Sequence, residues 1–324
     1  MNTWNKSLAT ALKGMAMGIA EVIPGVSGGT IAFITGIYEE LLQTIKAILG
    51  PEVWTTLTRQ GIRQAWEKAN GNFALALLSG MAIGMITGVF AVSHLLESYP
   101  ILLWAFFFGL ILASAWFIGR QVEKWNLTTI ASLAVGTAIA YWITIASPTE
   151  GNTALWFVFL SGAIAISALL LPGISGSFIL LLMGMYTYII PMVKSFLQTQ
   201  DTAQLLILGV FALGCLVGLA TFSRVLTWTF KHYHQQTMAL LTGFMIGSLN
   251  KIWPWRKPVL GLTEEGQLVQ ITQGMEIDKI IKEVNLLPTQ YAAEVGNAFL
   301  LPAILLALAG IGLVILLERW SAPK

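Results

Sequence analysis

Charge is scarce in this chain. Only 10% of its 324 residues are Asp, Glu, Lys or Arg, against about 25% in a soluble domain. So few charges cannot clothe a globule of this size in a polar surface, so lipid must solvate much of it. The hydrophobic content of 56% and the mean hydropathy of +0.74 agree. Neither sign of charge dominates: 18 basic and 16 acidic residues leave +2, too little for a nucleic-acid partner. The one cysteine, Cys215, excludes an internal disulfide and a Cys-based zinc site. His94, His232 and His234 lack metal-ligand spacing with a supporting acidic cluster, so no metal is expected. Walker, nucleophile-elbow and zincin motifs are missing too, and no cofactor is expected. The stretch after Lys6 and Lys13 runs through Glu21 into Pro24 without a small-residue cleavage box, so no cleavable signal is expected.

What the chain has instead is long apolar runs. A hydrocarbon core of about 30 Å needs roughly 20 apolar helical residues. Six stretches qualify: 73–96, 101–118, 127–146, 203–229, 237–251 and 296–317. The fifth is short and relies on Trp253 and Trp255 as interfacial anchors. Two further apolar regions, 8–48 and 153–197, are each broken by a glycine-rich loop after a proline. At about 1.5 Å per residue, the piece from Lys13 to Pro24 reaches only half-way across, so a re-entrant hairpin is expected there and in its counterpart. Residues 50–72 read as an amphipathic surface segment, and 253–295, with Glu264, Glu265, Glu276, Asp278 and Glu283, as an extramembrane loop.

The two broken regions are copies of one another. Pro24-Gly25-Val26-Ser27-Gly28-Gly29 matches Pro172-Gly173-Ile174-Ser175-Gly176-Ser177. The same offset pairs Gly14 with Gly162, Gly36 with Gly184 and Tyr38 with Tyr186. Farther on, Gly84 and Gly88 pair with Gly214 and Gly218, and Gly109 and Ser114 with Gly243 and Ser248. Each copy therefore holds one hairpin and three spans, with repeat boundaries at 1–148 and 149–324. Three is odd, so the second copy enters from the opposite face. The expected fold class is an all-α polytopic membrane protein of two inverted repeats, each a re-entrant broken-helix hairpin plus three transmembrane helices. Such repeats are typical of secondary transporters, whose sites lie near the midplane between repeats. Placing the N-terminus on one side collects 12 basic residues there and 6 on the other. The positive-inside rule then puts both termini in the cytoplasm.

Irregular backbone at membrane depth survives only where protein buries it or a cavity needs it. Ser27, Gly28, Gly29 and Thr30 open one helix after the first break, and Ser175, Gly176 and Ser177 open another after the second. Helix N-termini carry unsatisfied N–H donors and partial positive charge, which suits an anion such as phosphate. The plainer reading is that small residues there only permit close helix packing. Two symmetry-related copies favour the anion site. Glu21 lies three residues before Pro24, where the second copy has Leu169. A carboxylate at depth needs a partner or a task, so Glu21 either carries a coupling proton or caps backbone N–H groups. Arg224 corresponds to His94 late in the span that follows each hairpin; it either forks onto a phosphate or snorkels at the interface. The GxxxG pairs read as helix packing.

These residues also resemble a known family. Glu21-Val-Ile-Pro-Gly-Val-Ser-Gly-Gly-Thr-Ile-Ala-Phe33, followed by Gly36-Ile-Tyr38-Glu-Glu40, is similar to the PopT family of bacterial polyprenyl-phosphate transporters. Leu171-Pro-Gly-Ile-Ser-Gly-Ser-Phe178 and Gly243-Phe-Met-Ile-Gly-Ser248 agree. The resemblance implies translocation of undecaprenyl phosphate across the bacterial cytoplasmic membrane, which recycles the lipid carrier for peptidoglycan and other envelope polymers. The phosphate would sit between the two PG-x-SG loops with the prenyl tail in lipid, and the coupling ion, H+ or Na+, stays open. Two rivals remain. A small-anion carrier or channel would use the same anion chemistry. A membrane undecaprenyl-diphosphate phosphatase also has hairpins with a PG-x-S loop, but there an arginine follows the serine. Here Gly28 and Gly176 follow instead, leaving the loops without charge to stabilise a departing phosphate.

Overall fold

The computed structural model describes residues 3–23, 26–149, 151–263, 268–271 and 279–321. The chain opens with α1 (Thr3–Val22), the short α2 (Gly28–Ile34) and α3 (Tyr38–Ile48). Two surface helices follow, α4 (Pro51–Gln60) and α5 (Ile62–Lys68), and then α6 (Gly71–Ser98), α7 (Pro100–Gly119) and α8 (Leu127–Ile145). The second half repeats this order with α9 (Leu155–Leu170), α10 (Gly176–Leu182), α11 (Tyr186–Thr199), α12 (Thr202–His232) and α13 (His234–Ser248). Strands β1 (Arg256–Leu262), β2 (Leu268–Gln270) and β3 (Lys279–Asn285) come next, followed by α14 (Pro288–Glu294) and α15 (Leu300–Ser321).

The breaks between elements have local causes. Proline occupies the first helical position of α4, α7 and α14, where its missing N–H costs nothing. Asn126 caps α8 reciprocally, accepting from the Thr129 N–H at 3.0 Å while its own N–H donates to the Thr129 hydroxyl at 2.9 Å. Gly36 and Gly184 follow α2 and α10 with φ of 71° and 67°. A side chain is strained in that left-handed region, so the glycine matched between the copies serves one turn used twice.

Among the described residues five helices are long and apolar enough to cross a membrane: those at Gly71–Leu96, Pro100–Gly119, Leu127–Ile145, Gln204–His232 and Leu300–Glu318. The broken pair α10 and α11, bent by 117°, raises this to six. The expected span at 237–251 is α13, only 15 residues long. Most of it is buried, so protein rather than lipid surrounds it. Leu, Ile, Phe and Trp side chains lie exposed along α6, α8, α12 and α15. A soluble protein does not leave an apolar surface so extensive uncovered, and the chain is a multi-pass membrane protein. Helix α1 starts at Thr3, well before the apolar piece at Lys13. The Lys13 ammonium donates to the Thr35 carbonyl at 2.8 Å, so the end of α2 comes back level with the middle of α1. In the second copy the Thr149 N–H donates to the Leu182 carbonyl at 2.8 Å, which brings the end of α10 back to the entry of α9.

Packing follows the repeat. Helix α1 lies along α6, and α9 along α12, while α8 packs on α13 and α15 on α7. The third span of each copy thus leans on the second span of the other, so the halves at 1–148 and 149–324 interlock. Glycines set these contacts. A methyl group added at Gly14, Gly80 or Gly84 would collide with the backbone of the facing helix, and the same holds at Gly214 and Gly218. In lipid the hydrophobic effect does not press helices together, so close backbone approach has to supply the contact.

The segment expected as an extramembrane loop holds a small antiparallel sheet of order β2-β1-β3, which adds strands to an otherwise helical fold. The acidic residues Glu264, Glu265, Glu276 and Asp278 lie outside the described residues. The sheet is seated by Trp255, whose indole N–H donates to the Ala298 carbonyl at 2.8 Å, and by Leu260, which packs near Leu181 and Phe178 of α10.

Gly→Ala in a helix ordinarily stabilises by up to about 1 kcal/mol. At Gly84 the sign should reverse, because the methyl meets the Met15 backbone; overpacking of this kind costs about 1–3 kcal/mol. At Gly312 nothing lies within 4 Å of the added carbon. Thermal unfolding in detergent should therefore show Gly84→Ala lowered and Gly312→Ala unchanged or raised.

Candidate functional site

Both PG-x-SG loops reach the interior. Pro24 and Gly25 lie outside the described residues. Ser27 has extended backbone, φ −109° and ψ 135°, and its Oγ accepts from the Gly29 N–H at 3.1 Å to cap α2. The Glu21 carboxylate accepts from the Gly28 N–H at 2.7 Å, so two of the orphan donors at the start of α2 are filled from within the loop. Of the two roles open to Glu21, the capping contact is therefore made. A side-chain carbon at Gly28 would stand 2.6 Å from the Glu21 Oε1, and one at Gly29 3.0 Å from the Leu169 carbonyl oxygen. Glycine allows both approaches without a shift of either neighbour.

The second loop meets the first directly. Gly173 turns with φ of 83°, and its N–H donates to the Thr30 Oγ1 at 2.9 Å. The Ser27 hydroxyl donates to the Leu169 carbonyl at 3.2 Å, and the Tyr38 hydroxyl to the Leu170 carbonyl at 2.6 Å. These carbonyls belong to the last turn of α9 and have no partner inside their own helix. Hydroxyls of the first copy thus complete the end of a helix in the second. Ser27 and Thr30 are 1% and 0% exposed.

The two helix starts differ. Ser175 makes no side-chain cap to α10; its Oγ lies 2.9 Å from that of Ser177, and Ser177 is exposed. Gly176 sits against α9, where an added carbon would meet the Ala165 carbonyl at 2.5 Å. Leu169 replaces the carboxylate of Glu21, so no acidic group answers the first N–H groups of α10. The start of α2 is thus capped at Gly28 and Gly29, whereas the start of α10 presents a hydroxyl pair with one member open.

The structure therefore brings together Glu21, Ser27, Gly28, Gly29 and Thr30, and sets them against the loop that carries Ser175, Gly176 and Ser177. Arg224 stands elsewhere. It is exposed, and its Nη2 donates to the Leu49 carbonyl at 3.2 Å, just past the end of α3. Tyr38 was missed as a site residue. Its pairing with Tyr186 in the repeat was the available signal, but the reach of its hydroxyl to α9 follows from the tertiary fold. Chemically the arrangement offers backbone N–H donors and hydroxyls from two broken helices within one buried region.

Thr30→Val and Tyr38→Phe keep shape and remove one hydrogen-bonding group each. Leaving the Gly173 N–H or the Leu170 carbonyl buried without its partner costs about 1–3 kcal/mol. Both variants should unfold at lower temperature in detergent, and Thr30→Ser, which keeps the acceptor, should recover most of the loss.

The family model described as VCA0040-like, undecaprenyl phosphate translocase-like, matches residues 17–268. That span includes both PG-x-SG loops. The chain is 41% identical over 315 residues to the polyprenyl-phosphate transporter of Vibrio cholerae serotype O1 (strain ATCC 39315 / El Tor Inaba N16961), covering 97% of each chain. It is 32% identical over 257 residues to the polyprenyl-phosphate transporter of Staphylococcus aureus (strain NCTC 8325 / PS 47), covering 75% of this chain and 85% of that one. No solved structure matches it. The chain belongs to the undecaprenyl phosphate translocase-like family, as its two PG-x-SG stretches implied.

Proposed function

We propose that this protein is a transporter that moves polyprenyl phosphate, specifically undecaprenyl phosphate, across the bacterial cytoplasmic membrane. The step returns the spent carrier from the outer to the inner leaflet for peptidoglycan and other envelope synthesis. The phosphate binds between the two PG-x-SG loops, and the prenyl tail stays in lipid. The contact of Thr30 with the Gly173 N–H carries this reading. It joins two loops from opposite halves of the chain in one place, where an anion would meet donors from both. The names of the two relatives supply the class of substrate.

In this reading the two halves are inverted repeats, and α1–α2 and α9–α10 are re-entrant hairpins entering from opposite leaflets. Both termini are cytoplasmic and the sheet is extracytoplasmic. Rocking of one repeat against the other then exposes the same site to each side in turn. Glu21 is the coupling group. Its carboxylate holds the Gly28 N–H, so phosphate arriving at the start of α2 competes with it, and protonation frees the donor. Arg224, bonded to Leu49, acts on the phosphate only if α3 and α12 move apart.

Proteoliposomes test the proposal by leaflet exposure of labelled undecaprenyl phosphate. The unaltered protein should move the lipid, and Ser27→Ala/Ser175→Ala should lose most of that activity. Glu21→Gln should abolish transport; full transport with an unchanged pH response would remove Glu21 from the coupling step. Failure to move the lipid under a proton gradient of either sign would favour a small-anion carrier. Release of phosphate from undecaprenyl diphosphate by the purified protein would favour a phosphatase.

A further inference from the structure

A second cluster of polar groups lies away from the paired loops, where the sheet meets the helical body. A cavity of about 270 Å³ opens there, many times the roughly 30 Å³ share of one water. Lys251, Arg256 and Lys282 line it, and among the described lining residues the only carboxylate is that of Glu283. Asn250 and Asn285 add amide groups. Among the described lining residues three cations face one carboxylate.

These cations are held in place. The Arg256 guanidinium, with its side chain 6% exposed, bonds Glu283 at 2.5 Å and stacks 4.2 Å from the Trp104 ring. The Lys251 ammonium lies 3.7 Å from the same Glu283 oxygen and 4.7 Å from the Phe178 ring. Glu283 is thus shared by two cations and neutralises one charge. The buried Arg256 Nε has no hydrogen-bond partner among the described residues. A buried donor left unpaired is costly, so Arg256 is held here at some expense. Burial pushes the Lys251 ammonium below the usual lysine range, Glu283 pulls it back up, and Arg256 pushes it down again. Phe178, one residue after Ser177 on α10, also lines the cavity.

We propose that this cavity is a phosphate-monoester subsite, in which Lys251, Arg256 and Lys282 receive the headgroup before it passes to the loop carrying Ser175 and Ser177. The inference rests on the transport reading above for its place in the cycle, and on the cavity itself for its chemistry. Lys282 supplies the outer reach: it is exposed, with its ammonium 3.5 Å from the Ser147 hydroxyl. Glu283 acts in the opposite sense. It positions both inner cations and repels the ligand they receive.

Calorimetric titration of the purified full-length protein in detergent tests this, with farnesyl phosphate and, separately, inorganic phosphate as probes. Lys251→Gln and Lys282→Gln should each weaken binding about tenfold, the scale of one lost hydrogen bond to a charged group. Lys282 is exposed, so its variant reads binding rather than folding. Glu283→Gln should tighten binding, an effect that a purely structural ion pair would not produce. Lysine dependence for farnesyl phosphate alone assigns a lipid headgroup, and dependence for both probes assigns phosphate from either source; both support the subsite. Affinities indifferent to either lysine, or no binding of either probe, overturn it and leave the ion pairs as an anchor for the sheet. The two readings fail separately. Transport that needs Ser27 and Ser175 but ignores both lysines removes the subsite alone. Lysine-dependent phosphate binding by a protein that moves no lipid removes the transport reading alone.

Discussion

The end of α9 is the constraint on which the interior depends. A helix that stops inside the buried interior leaves its last carbonyls without water to satisfy them. Here the Ser27 and Tyr38 hydroxyls reach across from the first half to Leu169 and Leu170, and Thr30 answers the Gly173 N–H that begins the next turn. Because these partners all come from the first half of the chain, the second half cannot complete its broken helix alone. The helix packing says the same, since α8 rests on α13 and α15 on α7. A duplicated chain of this kind is two copies of a unit that is complete only when paired.

Much of this was legible in the sequence, for identifiable reasons. Long apolar runs announce spans because length and composition are all that crossing a membrane demands. Gly36 and Gly184 announced a shared turn because positive φ leaves little choice of residue. Gly84, Gly214 and Gly218 announced close packing, and each lies against a facing backbone. The PG-x-SG loops announced broken helices, because a proline and glycines inside an apolar run have few other uses. What stayed hidden depends on distance in the fold. Nothing in the order of residues says that the third span of one copy packs on the second span of the other. Tyr38 looked like a repeat marker, since its partner carbonyl is 132 residues away. The strands at 256–262 and 279–285 are short, and β1 contains a proline and a glycine, so pattern alone reads the segment as loop.

The departures from symmetry bear most directly on mechanism. A perfectly symmetric pair of loops would bind an anion equally from each side and would have no means of responding to it. Here the first helix start already holds an anion of its own, the Glu21 carboxylate on the Gly28 N–H, while the second has Leu169 in that place and an open Ser177. Under the transport reading the second loop is the one ready to receive phosphate. The first becomes available only when Glu21 lets go. A phosphate that reaches both loops must replace one carboxylate–amide contact with its own, and the displaced carboxylate then lies buried beside a second negative charge. Like charges so close cannot both persist in a low-dielectric interior, so in the proposed cycle arrival of the phosphate would drive proton uptake by Glu21, and its departure would restore the carboxylate to its cap. In that proposed cycle coupling would rest on one acidic residue placed where its repeat partner is aliphatic.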